Sequence, residues 1–177
     1  MMKTIFITGA SSGIGKATAE LFSANGWQVI ATMRNPEKGK ALTELPNTVV
    51  MPLDVTNTKQ IQETCRKALE QYDVDVLFNN AGYGIMAPLE AFSEADIRRL
   101  FDTDVIGTMI VTQQFIPYFK KRRSGTILTT TSLAGVIGFP RDAVYGAAKR
   151  AQEGMVESLY YEMKPFGVAV KSMIPGG

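Results

Sequence analysis

The residues whose types and spacing carry the clearest chemistry are a tyrosine and a lysine, Tyr145 and Lys149, four positions apart. Residues at this spacing lie on one face of a helix, so the lysine ammonium can act on the tyrosine phenol. An ammonium about 4 Å from the phenolic oxygen, at an effective dielectric of about 20, would stabilise the phenolate by up to about 4 kcal/mol. We therefore predict that Lys149 lowers the pKa of Tyr145 and that Tyr145 serves as a general acid and base.

A serine, Ser132, comes thirteen positions before Tyr145, at the end of a predicted strand. Ligands of parallel sheets bind at the carboxyl ends of the strands, so its hydroxyl is predicted to hold the substrate oxygen that Tyr145 protonates. The sequence has no histidine and one cysteine, Cys65. A single cysteine excludes a disulfide within the chain and a cysteine-cluster metal site. Histidine is the commonest general base and metal ligand, so without it we expect no metal site and expect another group to carry out the proton chemistry.

A glycine-rich turn joins the first predicted strand to the first predicted helix through Gly9, Gly13 and Gly15. Gly9 permits the tight turn, Gly13 keeps side chains away from a pyrophosphate, and Gly15 lets the helix pack closely on the sheet. Free N–H groups and the positive end of the helix attract phosphate, so the turn predicts a dinucleotide site. Three other residues of the turn are expected to contact the dinucleotide: Ser11, Ser12 and Ile14.

Two other motifs overlap the glycine turn. A phosphate-binding P-loop would need a glycine at position 10 and a serine or threonine at position 17, where the sequence has Ala10 and Ala17. The same residues match the Gly-x-Ser-x-Gly elbow of serine hydrolases, with Ser11 as the nucleophile. That serine needs a histidine base, so a serine hydrolase stays an alternative only if a further segment supplies one.

Short β-branched runs alternate along the chain with longer stretches of helical periodicity, which is the pattern of parallel βαβ units. Strands are predicted at residues 5–7, 28–31, 49–51, 74–78, 125–130 and 168–173. Helices are predicted at residues 13–24, 59–71 and 142–164, with another beginning at Pro36 and a long one capped by Ser93 and bent or ended by Pro117. The predicted fold class is α/β, a doubly wound parallel sheet of Rossmann type forming a single domain over residues 1–177.

The composition excludes several classes of function. With 45% hydrophobic residues, 20% charged residues and a net charge of +2, the chain is expected to be globular, without a nucleic-acid or membrane partner. The basic run at 120–123 is interpreted as complementing the negative end of a helix. The single cysteine and the lack of a signal peptide or an apolar stretch of membrane length predict a cytoplasmic location.

Five segments carry a resemblance to a known family: the glycine turn at 8–15, Asn-Asn-Ala-Gly at 79–82, Ser-Leu-Ala-Gly at 132–135, the Tyr145 to Lys149 pair, and Pro-Gly at 175–176. In order and spacing they resemble the classical short-chain dehydrogenase/reductase family, over essentially the whole chain. The stretch at 34–38 looks most like the 17β-hydroxysteroid-dehydrogenase-like branch. The resemblance implies hydride transfer between the C4 atom of a nicotinamide and a substrate carbonyl or alcohol.

The resemblance also implies a role for individual residues. Tyr145 would be the acid and base, Ser132 would orient the substrate, and Lys149 would lower the tyrosine pKa and bind the nicotinamide ribose. Asp54 and Val55 would contact the adenine. The remaining residues expected to contact the cofactor or line its cleft are Asn80, Ala81, Gly82, Pro175 and Gly176.

The sequence departs from the family in two respects. Asp104 stands where the family usually has an asparagine that holds a water next to the lysine, and its negative charge would partly offset the effect of Lys149 on Tyr145. We predict that Asp104 takes part in catalysis, the alternative being a tolerated helix substitution. Family members also continue beyond the Pro-Gly pair with a loop, a helix and a further strand, so a truncated chain with an exposed sixth strand is expected.

The choice of cofactor is predicted from the end of the second strand. NAD-specific sites place an acidic residue there, whereas this chain has Arg34, whose guanidinium can bind a 2′-phosphate, and Ser11 adds a contact. We therefore expect NADP(H) and, as substrate, a carbonyl or secondary alcohol of an apolar small molecule. A non-catalytic dinucleotide sensor on the same fold is the alternative.

The substrate pocket and the assembly are predicted from a few apolar residues. The candidates for the pocket wall are Tyr83, Ile85, Met86 and Ile137. The predicted helix at 142–164 carries a row of small residues, Ala143, Ala147 and Ala151, with Gly146 and Gly154 nearby. Because such a row allows close helix packing, a homodimer or homotetramer is expected, although the row could equally serve the chain's own core.

Overall fold

The fold is built on a parallel sheet, which we describe from a computed structural model covering residues 2–176. Six strands pair in the order β3-β2-β1-β4-β5-β6. They are β1 (Thr4–Ile7), β2 (Gln28–Met33), β3 (Thr48–Pro52), β4 (Val76–Asn79), β5 (Gly125–Thr130) and β6 (Val168–Met173). Every pairing between neighbours is parallel. The order reverses between β1 and β4, so a ligand cleft is expected at the carboxyl ends of these two strands.

Helices cover both faces of the sheet, as the α/β prediction requires. They are α1 (Gly13–Ala24), α2 (Lys40–Thr43), α3 (Thr58–Gln71), α4 (Glu94–Phe101), α5 (Thr108–Arg122) and α6 (Ala143–Met163). On one face, Phe6 and Ile127 of the sheet pack with α3, α5 and α6. On the other face, Ile7 and Phe78 pack with α1 and α2. The predicted Rossmann-type fold is confirmed.

The long helix predicted after Ser93 differs from the structure. Ser93 caps α4 with a reciprocal capping box to Asp96, as its position predicts. A six-residue π-helical segment, Asp102–Gly107, then separates α4 from α5. Pro117 lies inside α5 and does not end it. Pro117 lies on the exposed side of the helix. Proline has no N–H, and water can donate the hydrogen bond to the helix carbonyl that is left without its usual donor.

Two further boundaries correct the predictions. The fourth strand begins at Val76 rather than at residue 74, and the side chain of Asp75 just before it accepts a hydrogen bond from the Thr4 N–H at 2.8 Å. The segment at Pro36 is a 3-10 helix, Pro36–Gly39, that leads into the short α2. Within the described residues, β6 pairs with β5 alone and forms one edge of the sheet.

Candidate active site

A cavity of about 1010 Å³ opens at the carboxyl ends of the strands and collects most of the predicted site residues. It is lined by Gly9, Ser11, Ser12, Gly13, Ile14, Arg34, Asp54, Val55, Asn80, Ala81, Gly82, Ser132, Tyr145, Lys149, Pro175 and Gly176. The other two predicted site residues, Gly15 and Asp104, are buried and do not line the cavity. The structure therefore brings residues from distant parts of the chain into one cleft.

The glycine turn forms a smooth wall at one end of this cavity. Gly9 and Gly13 have φ values of +68° and +53°, a region that favours glycine. A Cβ on Gly9 would lie 2.7 Å from Ala81 Cα, and one on Gly15 would meet the Gly9 carbonyl oxygen, so neither position accepts a side chain. Ser12 caps α1 without a side-chain hydrogen bond, which leaves the first N–H groups of the helix open to an anion. The residues present fit a pyrophosphate.

Asn80 braces the strands that carry the turn. Its side-chain Nδ2 donates to the carbonyl oxygens of Thr8 and Gly9, both at 3.2 Å, and its Oδ1 accepts from Thr130 Oγ1 at 3.3 Å. The Thr8 hydroxyl accepts the backbone N–H groups of Asn80 and Ala81 at 2.9 and 3.0 Å. Asn80 thus ties β1, β4 and β5 together, and Thr8 is a structural partner that the sequence analysis missed.

The far end of the cavity is formed by the loops after β2 and β3. Arg34 is exposed, and within residues 2–176 no carboxylate pairs with it. Asp54 shapes its own loop, since its Oδ1 accepts the Thr56 N–H at 2.9 Å and the Thr56 hydroxyl at 2.7 Å. Val55 is buried at the base of the same loop. The cation at this end is therefore open to a ligand, whereas the carboxylate is engaged.

The Lys149 ammonium is held by three acceptors at the other end. Its Nζ lies 3.1 Å from Asp104 Oδ2, 2.9 Å from Gln152 Oε1 and 3.3 Å from the Thr130 carbonyl oxygen. The contacts with Gln152 and Thr130 are hydrogen bonds, whereas the contact with Asp104 is an ion pair that leaves Oδ2 buried without a hydrogen-bond donor. The Nζ lies 5.5 Å from the centroid of the Tyr145 ring. Lys149 is thus anchored to buried acceptors beside the tyrosine.

The pKa of Tyr145 lies above its ordinary value, mainly because the phenol is half-buried. The Ser132 hydroxyl lowers this pKa, and the charges of Asp104 and Asp142 raise it further. The pKa of Tyr145 is thus raised, whereas the sequence predicted a lowered value, and burial is the main reason. Asp104, which pairs with Lys149, adds to the rise through its own negative charge.

Asp104 lies in the π-helical segment, behind the wall of the cavity. A Cβ placed on Gly82, which does line the cavity, would lie 2.9 Å from Asp104 Oδ2. The Tyr83 N–H donates to Asp104 Oδ1 at 3.1 Å. Burial raises the pKa of Asp104, and the charge of Lys149 opposes this. Asp104 therefore reaches the site through Lys149, and π-helical turns of this kind are frequent at functional sites.

Gln152 completes this buried group and was missed by the sequence analysis. Besides accepting from Lys149, its Nε2 donates to the Asp104 carbonyl oxygen at 2.6 Å and to Thr108 Oγ1 at 3.3 Å. The signal in the sequence is a glutamine three positions after Lys149, on a helical face that also carries Val156 and Leu159 of the core. A polar residue at such a position needs buried partners.

The remaining predictions concern the pocket wall, the alanine row and metals. Tyr83 and Ile85 line the cavity, whereas Met86 and Ile137 are exposed outside it. Ala143 and Ala147 are exposed, so that part of the row faces outward rather than into the core. Across residues 2–176 no cluster of three metal-ligating side chains occurs. No helix in that range has the length and apolar character needed to cross a bilayer.

Comparison with known proteins shows the family of the chain. The family model described as short chain dehydrogenase matches residues 3–177. The chain is 36% identical to 3-ketodihydrosphingosine reductase of Bacteroides thetaiotaomicron, an alignment covering 97% of this chain and 62% of that protein. It is 37% identical to 17-beta-hydroxysteroid dehydrogenase type 1 of Homo sapiens, covering 93% and 53%. A solved structure of ElxO with NADP bound has a TM-score of 0.94 at 31% identity, covering 99% of this chain and 74% of that one.

Fold and site together define a protein with a dinucleotide cleft at the switch point of a doubly wound sheet. The chain belongs to the short-chain dehydrogenase family. It spans little more than half to about three fifths of the lengths of these two curated relatives. Membership leaves the serine-hydrolase alternative for Ser11 without support.

Proposed function

We propose that residues 1–177 form one dinucleotide-binding and catalytic domain that transfers a hydride between NADP(H) and a carbonyl or secondary alcohol of an apolar small molecule. The observation that carries this proposal is that one cavity joins the open N-terminus of α1, the free guanidinium of Arg34 and the pair Ser132 and Tyr145. Phosphate, a 2′-substituent and a reacting oxygen each have a matching group in that cleft.

The proton chemistry is assigned to Tyr145. NADP(H) would supply or accept the hydride when bound. In the reducing direction, Tyr145 donates its proton to the carbonyl oxygen and the Ser132 hydroxyl donates a hydrogen bond to the same oxygen. The phenol is protonated at neutral pH and can therefore act as the proton donor. In the oxidising direction the phenolate takes the proton from the alcohol.

Arg34 is the residue that favours NADP(H) over NAD(H). It follows β2, where an acidic side chain would accept hydrogen bonds from a ribose 2′-hydroxyl, and it lines the cavity without a carboxylate partner in the described chain. A guanidinium binds a phosphate through charge-assisted, often bidentate hydrogen bonds. The structural neighbour ElxO has NADP bound, which is consistent with this choice.

The substrate and the assembly follow from the surfaces near the cleft. Ile85 lines the same cavity as Tyr145 and provides an apolar wall for a small molecule. The outward-facing Ala143 and Ala147 form a smooth strip on α6 against which a second copy can pack. We therefore propose a homodimer or homotetramer. As the composition predicts, we also propose that the protein has no nucleic-acid or membrane partner and a cytoplasmic location.

A dinucleotide sensor is the second candidate. The observation that favours it is that the buried Lys149 ammonium is already engaged by an ion pair with Asp104 and by hydrogen bonds to Gln152 and Thr130, so that a ribose would have to compete with these partners. A sensor would bind NADPH and turn over no carbonyl compound.

The test is a turnover screen of carbonyl compounds with NADPH and NADH, for the parent and for Tyr145→Phe. The variant keeps the ring and removes the proton donor, so turnover should fall by about two to four orders of magnitude while NADPH binding survives. Tyr161→Phe is the matched control, because Tyr161 is 73% exposed on the same helix. Activity of Tyr145→Phe within a few-fold of the parent would contradict the assigned role.

A further inference from the structure

Helix α4 and the π-helical segment that follows it present two different faces near the proposed cofactor cleft. Arg99 and Thr103, one turn apart, line the cavity that holds the glycine turn and Arg34. Arg98 and Asp102 lie on the other face, along a separate apolar groove. Neighbouring arginines of one helix therefore point to different surroundings, and only Arg99 faces the cleft.

The charge of Arg99 is only weakly compensated. Its nearest carboxylate within the described residues is that of Asp96, 4.0 Å away in an exposed pair. Asp96 is itself engaged by Ser93, whose hydroxyl donates to Oδ2 at 2.6 Å. Arg98, in contrast, pairs with Glu94 at 2.7 Å. Since exposed pairs of this kind contribute little, the Arg99 guanidinium is free to bind an anion.

Arg99 and Arg34 line the same cavity, Arg99 from α4 and Arg34 from the loop after β2. Burial raises the pKa of Tyr83, and the charges of both arginines lower it, so both lie within electrostatic reach of its phenol. Among the described residues, the charged side chains that line the cavity are the cations Arg34, Arg99 and Lys149 and the carboxylate of Asp54. This excess of positive charge suits a phosphate better than a neutral hydroxyl.

We propose that Arg99 is a second cofactor-specificity residue, whose guanidinium binds the 2′-phosphate of NADP(H) together with Arg34. The inference rests on the proposed NADP(H) site and adds to it a contact from α4. Two guanidiniums on separate elements can neutralise a phosphate dianion from two sides, which a single exposed arginine cannot do.

The experiment compares the parent, Arg99→Gln and Arg98→Gln by fluorescence titration with NADPH and NADH. Arg99→Gln should weaken NADPH binding about five- to tenfold and NADH binding less than about twofold, with a difference that shrinks as salt rises. Arg98→Gln removes the same charge from the same helix and should change neither constant by more than about twofold. Arg99→Lys keeps the charge but loses the planar fork and should fall between the parent and Arg99→Gln.

A second pair of probes isolates the 2′-phosphate. Adenosine 2′,5′-bisphosphate and 5′-AMP differ by that phosphate alone, and Arg99→Gln should weaken competition by the first and leave the second unchanged. Equal NADPH affinities for Arg99→Gln and Arg98→Gln, or equal losses for both dinucleotides, would overturn the role of Arg99. A parent that binds neither dinucleotide would instead contradict the proposed function itself, and the role of Arg99 with it.

Discussion

The Nζ atom of Lys149 lies 3.1 Å from Oδ2 of Asp104, and both side chains are buried. Together the ammonium of Lys149 and the carboxylate of Asp104 have a formal charge of zero. If Asp104 were a neutral residue, the charge of Lys149 near Tyr145 would be uncompensated. Burial is the main reason that the pKa of Tyr145 is raised, and the charge of Asp104 in this pair adds to the rise.

Asp104→Asn should therefore change the pH profile. The charge of Asp104 raises the pKa of Tyr145, so removing that charge lowers it, and the phenolate forms at lower pH. Alcohol oxidation needs the phenolate, and its profile of kcat/KM against pH should move to lower pH, with turnover equal to or above that of the parent.

Parallel pH profiles of the parent, Asp104→Asn and Asp102→Asn measure this effect. Asp102 is exposed two positions earlier and serves as the control for loss of a carboxylate. A profile that moves to higher pH, or a large loss of turnover, would show that Asp104 has a different and active role.

Gln152→Met should misplace Lys149. The variant keeps the length of the side chain and removes the acceptor at 2.9 Å from Nζ as well as the donor to the Asp104 carbonyl oxygen. We expect a loss of about 1–3 kcal/mol of stability and an NADPH dissociation constant raised about three- to tenfold.

Gln114→Met is the matched control, since Gln114 donates a similar side-chain hydrogen bond to the Ile110 carbonyl oxygen on α5. It should leave NADPH affinity unchanged. If Gln152→Met lowers stability but keeps the NADPH affinity and the pH profile of the parent, Gln152 has a structural role only and does not position Lys149.

Ser93→Ala should lower stability without touching the site. Ser93 and Asp96 form the capping box at the start of α4, and the loss of such a cap costs about 1 kcal/mol. Urea unfolding should report this loss. Ser158→Ala, at an exposed position inside α6, should be neutral or slightly stabilising, because alanine is the better helix former. Equal changes in the free energy of unfolding of both variants would contradict the role assigned to the cap.

Local signals in the sequence were sufficient for much of the fold. The bounds of α1 and β6 agree with their predictions. Both are set by local sequence signals, the glycine turn before α1 and the Pro-Phe-Gly sequence before β6, which act within a few residues. The π-helical segment at 102–107 was not predicted, since its register depends on the burial of Asp104 against Lys149. Asp104 and Thr130 lie far from Lys149 along the chain, so no spacing reveals them as its partners, whereas Gln152 is only three positions away.

The most direct measurement for the proposed NADP(H) site compares dissociation constants of NADPH and NADH for the parent and for Arg34→Ala. We predict that the parent prefers NADPH, and that Arg34→Ala weakens NADPH binding by roughly 1.5 to 3 kcal/mol while NADH binding stays nearly unchanged. Lys38→Ala, an exposed cation in the following 3-10 helix, should have little effect on either. A parent that prefers NADH, or equal losses for both cofactors in Arg34→Ala, would contradict this prediction.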